Sequence, residues 1–221
     1  MSHLKYTHAS EPGTGARRQR GFLSSRQALV LLGLLFLSPM LIAWIMHLSG
    51  QQGWRPEGTT NQGVLIQPPR PLVLPAGIPG AAGGVLQEDY LQGKWTLLYI
   101  GTSDCGETCR TNLYHMRQVR LSQGENLQRV QRLFLVADAT SLEPLADILK
   151  EYPQLTSGAL SPGQSAELAP LFLLDAESMR AAERVYLVDP LGNLMMYYQA
   201  DADPRGMIKD LKRLLKYSRI G

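Results

Sequence analysis

Apolar and polar positions divide the chain into four regions. Residues 28–48, ALVLLGLLFLSPMLIAWIMHL, form a nearly continuous apolar run whose length predicts one helix that crosses a bilayer. Residues 49–90 contain many glycines and prolines, which predicts a semi-extended linker that cannot build a core of its own. Residues 91–221 alternate short apolar runs with helical patterns, which predicts one folded domain, and residues 1–27 form a polar tail.

The charges before the apolar run predict its direction in the membrane. Against the single acid Glu11, the tail carries Lys5, Arg17, Arg18, Arg20 and Arg26. Because basic residues stay in the cytoplasm, we predict a single-pass protein of the inner (cytoplasmic) membrane, with its N-terminus in the cytoplasm and its C-terminal domain in the periplasm. A cleaved signal peptide is the alternative, although the run is longer than a signal h-region and no A-x-A site follows it. Both alternatives export the domain.

Within residues 91–221 the hydrophobic pattern changes repeatedly between strand and helix. Short apolar runs predict four strands, at 94–101, 133–138, 185–189 and 194–198. Helical patterns predict three helices, from the cysteine pair to about 120, at 142–152 and from 204 onward, with 164–171 as an optional further helix. Residues 157–163 are predicted to be a loop, and residues 70–74 a short strand at the domain edge. The order βαβαββα predicts an α/β fold with a mixed sheet, and it resembles the thioredoxin-like fold.

Composition and charge exclude several classes of function. The 22 basic and 19 acidic residues give a net charge of +3, which is too balanced for a dedicated nucleic-acid binder, so no nucleic-acid partner is expected. Two cysteines exclude a disulfide-rich scaffold and a four-cysteine metal site. The basic C-terminal helix is most simply a solvated face, with an acidic partner or lipid headgroups as the alternative.

The two cysteines, Cys105 and Cys109, are the clearest candidate for chemistry. They follow a predicted strand and are four residues apart, so that two helical cysteines would share one face with their Cα atoms about 6 Å apart. The N-terminus of the helix favours the thiolate of Cys105, whereas the carboxylates of Asp104 and Glu107 oppose it. An exported pair of this kind suits thiol–disulfide exchange or Cu(I) binding. A purely structural disulfide is the third reading, and it would close only a short loop.

Two segments resemble the Sco/SenC family, the thioredoxin-like proteins of cytochrome c oxidase assembly. They are GKWTLLYIGTSDCGETC, residues 93–109, and VYLVDPLGNLMMYY, residues 185–198. The resemblance implies that Cys105 and Cys109 match the two cysteines with which the family binds copper. Members pass that copper to the dinuclear site of oxidase subunit II, or they keep the cysteines of that site reduced.

The histidine that completes the copper site of the family is missing from this chain. The resemblance places it near Ala181, but the sequence has no histidine after His115. His115 lies six residues after Cys109, about 9 Å further along the helix, and is a poor substitute. Met179 offers a thioether from the right loop, although an ordinary methionine is the simpler interpretation.

The charges and the apolar run predict an exported, membrane-anchored protein, and the resemblance to the Sco/SenC family implies that it assists cytochrome c oxidase assembly. The leading hypothesis is thiol–disulfide exchange on copper-site cysteines, with Cys105 as the attacking thiolate and Cys109 as the resolving one. The alternatives are a Cu(I) chaperone that holds the metal through the same two cysteines, and a redox-inactive scaffold. No cofactor is certain, and Cu(I) is the candidate. The expected partners are oxidase subunit II or other copper-handling assembly factors, together with membrane lipid around the anchor.

Overall fold

The computed structural model describes residues 24–50, 60–81, 83–137, 139, 141–172, 179 and 182–220. They belong to two compact units that meet in the sequence between Thr59 and Thr60. Most of the predicted tail and residues 51–59 of the predicted linker lie outside the described residues.

The first unit contains one long apolar helix. Helix α1 runs over Ser25–Gly50, which contains the predicted helix 28–48 and extends it at both ends. Its segment Arg26–Met46 is long and apolar enough to cross a membrane. Large apolar side chains are exposed all around it, as Phe36 and Trp44 illustrate, and this distribution suits a lipid environment rather than a soluble core.

The second unit is built on a six-stranded mixed sheet. Its strands are β1 (Val64–Pro71), β2 (Trp95–Gly101), β3 (Val130–Val136), β4 (Leu155–Ala159), β5 (Val185–Val188) and β6 (Asn193–Tyr198). Their order across the sheet is β1-β6-β5-β2-β3-β4. Strands β2, β3 and β4 are parallel, whereas β5 is antiparallel to both β2 and β6, and β1 is antiparallel to β6. The predicted hairpin of the last two strands is therefore confirmed.

Helices cover both faces of this sheet and bury two separate cores. The helices are α2 (Glu107–Leu121), α3 (Ala146–Glu151), α4 (Pro162–Leu168) and α5 (Pro204–Tyr217). Apolar residues of α2, α3 and α5 pack on one face against Leu97, Tyr99 and Phe134. On the other face α4 packs against Leu98 and Leu133. Every residue of β2 is buried, as expected for a central strand that is covered on both sides. The predicted α/β, thioredoxin-like class is confirmed.

Residues 60–90 differ from the predicted linker, because they are part of the folded unit. Strand β1 pairs with β6 along one sheet edge and begins six residues before the predicted edge strand. Five apolar side chains from this region are buried in the second core: Ile66, Leu72, Leu74, Ile78 and Leu86. Glycine and proline make the segment irregular, yet its scattered apolar residues have a sheet face to cover, which an isolated linker would not.

Strand β4 replaces the start of the predicted loop at 157–163. Its sequence, LTSGA, has few β-branched residues, but parallel pairing with β3 fixes it in the sheet. Gly158 lies against the second core, where an added Cβ would come within 2.6 Å of Ile78 Cγ2. A small residue is therefore needed here for the segment 60–90 to pack closely.

Candidate functional site

The two cysteines lie at the carboxyl end of the central strand. Strand β2 ends at Gly101, α2 begins at Glu107, and Cys105 lies in the loop between them. Cys105 and Cys109 form a disulfide with a Cα–Cα distance of 5.1 Å. Cys105 has a φ of +33°, so it is not helical and the pair does not share a helix face. The bond instead joins the loop to the first turn of α2.

Both cysteines are enclosed by the protein. Cys105 is 1% exposed and Cys109 is 4% exposed, and both belong to the first core together with Leu113 and Met116. The loop around them is polar and open, since Asp104, Gly106 and Glu107 are exposed. An attacking thiolate has to reach a sulfur directly. Exchange at this disulfide therefore requires the loop 102–106 to move.

Helix α2 also contains a buried polar residue, Asn112, whose role was not predicted from the sequence. Asn112, fully buried in α2, donates a hydrogen bond from Nδ2 to the backbone carbonyl of Glu183 at 3.1 Å. It thereby fixes the segment just before β5 against the helix that carries Cys109. Burial, assisted by the carboxylates of Glu183 and Asp104, raises the pKa of Tyr99 to about 12, and a hydrogen bond to Asn112 opposes the shift. The only signal in the sequence was an asparagine about one helical turn after Cys109.

The described residues offer two metal ligands rather than three. They contain no group of three or more His, Cys, Asp or Glu side chains placed to hold a metal ion. Met179 is buried in the second core, on the sheet face opposite the cysteines, so it is a core methionine. Ala181, at the expected position of the histidine, lies outside the described residues. The thiolates of the reduced pair would be soft ligands of the type that Cu(I) accepts.

Helix α2 carries His115 away from the pair. Its ring is half-buried beside Tyr114, and its Nδ1 atom is buried without a hydrogen-bond partner. The helical rise separates it from Cys109 by about 9 Å along the axis. His115 therefore contributes to the packing of α2 and does not complete a site with the cysteines.

One protein-family model matches the sequence of the second unit. The family model described as transmembrane-like, thioredoxin-like, C-terminal domain matches residues 95–218, more than half of the chain. This chain belongs to that family. The family description and helix α1 together indicate a single-pass membrane anchor. None of the curated proteins matches the sequence.

Solved structures of Sco proteins share the fold. Copper-bound ScoI of Arabidopsis thaliana is 18% identical over 66% of this chain and 100% of its own, with a TM-score of 0.51. Apo Sco1 of Thermus thermophilus is 20% identical over 72% of this chain and 99% of its own, with a TM-score of 0.56. BsSco, a Sco-family assembly protein with a disulfide switch, is 17% identical over 69% and 99%, with a TM-score of 0.51. The predicted resemblance to Sco proteins is thus confirmed at the level of the fold.

Proposed function

We propose that this protein is an exported, membrane-anchored thiol–disulfide oxidoreductase that assists cytochrome c oxidase assembly. The observation that carries the proposal is the Cys105–Cys109 disulfide, which joins the loop after β2 to the first turn of α2 on a thioredoxin-like domain. BsSco, which shares this fold, is an oxidase assembly protein with a disulfide switch, and this supports both the process and the chemistry.

The proposed reaction transfers two electrons from the reduced cysteine pair to a disulfide in the substrate. The thiolate of Cys105 attacks one substrate sulfur, forming a mixed disulfide and releasing the first substrate thiolate. The thiolate of Cys109 then attacks the sulfur of Cys105 and releases the second substrate thiolate. The protein ends as the oxidised Cys105–Cys109 pair, and an external dithiol donor must reduce it before the next cycle.

The proposed substrate is a cysteine pair of oxidase subunit II or of another copper-handling assembly factor. Such a pair has to be reduced before it can accept copper, because the thiolate is the form that binds metal. The basic residues before α1 support a cytoplasmic N-terminus, and so a periplasmic domain. In that compartment disulfides form readily and a dedicated reductant is needed.

A Cu(I) chaperone is the second candidate function. It is favoured by the likeness to a copper-bound Sco protein and by two cysteines close enough to ligate one ion when reduced. Copper would be the cargo of this protein, held by Cys105 and Cys109 alone among the described residues.

Single-cysteine variants test the exchange reaction. The full-length protein in nanodiscs, reduced beforehand, is mixed with the oxidised soluble domain of subunit II, and substrate thiols are counted. We expect one disulfide reduced per chain by the parent, a trapped mixed disulfide with Cys109→Ser, and no reaction with Cys105→Ser. A trapped adduct only with Cys105→Ser would instead make Cys109 the attacking residue.

A parallel titration separates the candidates. Anaerobic competition between the reduced full-length protein and a chromogenic Cu(I) chelator measures copper binding. One tightly held ion per chain, lost in the Cys105→Ser/Cys109→Ser variant, together with no substrate reduction, would establish the chaperone and reject the reductase. If oxidase assembly were normal with this double variant, both the reductase and the chaperone would be rejected, and the protein would act as a scaffold.

A further inference from the structure

Helix α5 carries an unusual concentration of positive charge. Five of its exposed side chains are basic: Arg205, Lys209, Lys212, Arg213 and Lys216. Its single acid, Asp210, is buried on the opposite side, where Oδ2 accepts hydrogen bonds from the backbone N–H groups of Gln62 and Gly63 and from the hydroxyl of Tyr198. The exposed face of α5, here called the basic stripe, therefore contains no acidic residue.

The basic stripe works against the stability of its own helix. Lys209 and Arg213, like Lys212 and Lys216, are like charges at i and i+4, a spacing that destabilises helices. Among the described residues no carboxylate lies within ion-pair distance of the stripe. Since acids and bases nearly balance in the whole chain, this one-sided distribution points to an anionic partner.

An exposed apolar patch adjoins the stripe at the C-terminal end of α5. Leu191, Tyr217 and Ile220 are 64%, 74% and 50% exposed. They line a cavity of about 430 Å³ together with Trp95, Pro190 and Arg213. Asp189 also lines this cavity, and its carboxylate accepts hydrogen bonds from the backbone N–H groups of Leu191 and Asn193. Basic residues beside exposed apolar and aromatic residues are the combination found on surfaces that bind the headgroup region of a bilayer.

The chain that leads to the anchor enters the domain beside this same face. Arg213 of the stripe donates a hydrogen bond to the hydroxyl of Thr60, the first residue of the second unit. Only the nine residues 51–59 separate Thr60 from Gly50, where α1 ends.

We propose that the basic stripe and the apolar patch seat the domain on the anionic surface of the bilayer that holds α1. Phosphate headgroups attract the lysines and arginines, while the patch enters the interface. A lipid surface is favoured over an acidic protein for two reasons. The basic stripe adjoins exposed apolar side chains, and the chain that comes from α1 enters the domain at the same face. The proposal depends on the membrane anchor and not on cysteine chemistry, so failure of the exchange reaction would leave it intact.

Lysine footprinting on the full-length protein tests the seating. The chain is placed in nanodiscs of phosphatidylcholine alone or with a third of phosphatidylglycerol, and acetylation of each lysine is followed by mass spectrometry. We expect Lys209, Lys212 and Lys216 to react at least threefold more slowly in the anionic discs. Lys150, exposed on α3, is the internal control and should not change. Raising the salt to about 0.5 M should remove the difference, since it shortens the range of surface charges.

A pair of matched variants tests the apolar patch. Leu191→Glu/Tyr217→Glu should restore fast acetylation of the three stripe lysines in anionic discs. Val85→Glu/Tyr114→Glu adds the same charges at exposed apolar positions elsewhere and should leave the protection intact. Equal acetylation in the two kinds of disc would overturn the proposal and assign the stripe to an acidic protein partner.

Discussion

Buried tyrosines give the domain a base-sensitive stability at the level of single residues. Burial raises the pKa of both Tyr99 and Tyr186 to about 12, against an ordinary value of 10. Below pH 10 the folded and unfolded chains both keep these protons. Between pH 10 and 12 the unfolded chain releases them first, so the free energy of unfolding should fall by about 1.4 kcal/mol per pH unit for each tyrosine.

Urea unfolding of the full-length protein in detergent, followed by near-UV circular dichroism between pH 9 and 11.5, measures this slope. Tyr99→Phe and Tyr186→Phe should each make it shallower. Tyr114→Phe, at an exposed position, is the matched control and should keep the parent slope. If Tyr99→Phe also kept the parent slope, the buried hydroxyl of Tyr99 would not be a source of the base sensitivity.

Residue-level sequence reasoning identified the cysteine pair but not its surroundings. Cys105 and Cys109 are recognisable because their chemistry is rare and their spacing is local. Asn112 and Glu183 are 71 positions apart and meet only because β5 pairs with β2 beside α2. Tyr99 is an ordinary strand aromatic in the sequence, and its raised pKa comes from tertiary burial. The assignment of catalytic or metal-binding roles to the cysteines remains a prediction.

At the level of elements, strand β1 and the segment after it complete one sheet edge and cover part of the second core, so we expect both to be required for folding. A chain without residues 60–90 loses the β1–β6 pairing and uncovers the second core around Leu98 and Leu133. We therefore expect a chain that begins at Leu91, the sequence-predicted boundary, to lack cooperative unfolding. A chain that begins at Thr60 should unfold cooperatively. The solubility and thermal melting of these two chains decide between the boundaries.

A graded version of this test uses single glycines. Gly158→Ala forces Ile78 away from β4 and should cost about 1–3 kcal/mol of unfolding free energy. Gly163→Ala, in α4 with open space around its Cβ position, should be neutral or slightly stabilising. Equal effects of the two substitutions would mean that close packing of the segment 60–90 on β4 contributes little.

The central strands were predictable, whereas of the two edge strands β1 was predicted only in part and β4 was missed. Strands β2 and β5 and the second half of β3 are largely apolar runs because both of their faces are buried, and that pattern is visible without a structure. Strand β1, VLIQPPRP, contains three prolines, which a sheet accepts at an edge where its other side needs no donors. Strand β4 is the other edge and is short. Edge strands depend on pairing partners far away in the sequence, so local patterns underestimate them.

For the whole molecule, the disulfide contributes modestly to stability. It closes a loop of only five residues, for which the chain-entropy relation gives about 2 kcal/mol. The reduced protein should therefore stay folded, with its unfolding free energy lowered by about that amount. Denaturant unfolding with and without a dithiol reductant, beside the Cys105→Ser/Cys109→Ser variant, measures the difference. Global unfolding upon reduction would mean that the bond is structural and would count against an exchange cycle.

The order of an apolar helix and a later folded domain could be predicted from the sequence, because the two differ in amino-acid composition over long stretches. A long apolar run and a later domain of mixed pattern differ on a scale of tens of residues, and α1 begins within three residues of its predicted start. The structure differs from the predicted domain boundary, because the second unit begins at Thr60. A composition rich in glycine and proline predicts a linker, but residues 60–90 supply part of a core.

The cysteines and the apolar patch lie at opposite ends of β2, and this separation affects how a partner protein can reach the disulfide. Trp95 begins β2 at the apolar patch, and the loop with Cys105 follows the other end of the strand, about 20 Å away. In the proposed seating the patch enters the interface at one end of β2, and the disulfide lies beyond the other end of the strand. A substrate that reaches the disulfide therefore does not have to displace the patch from the lipid. Seating on the bilayer and exchange with a partner are then compatible in one and the same molecule.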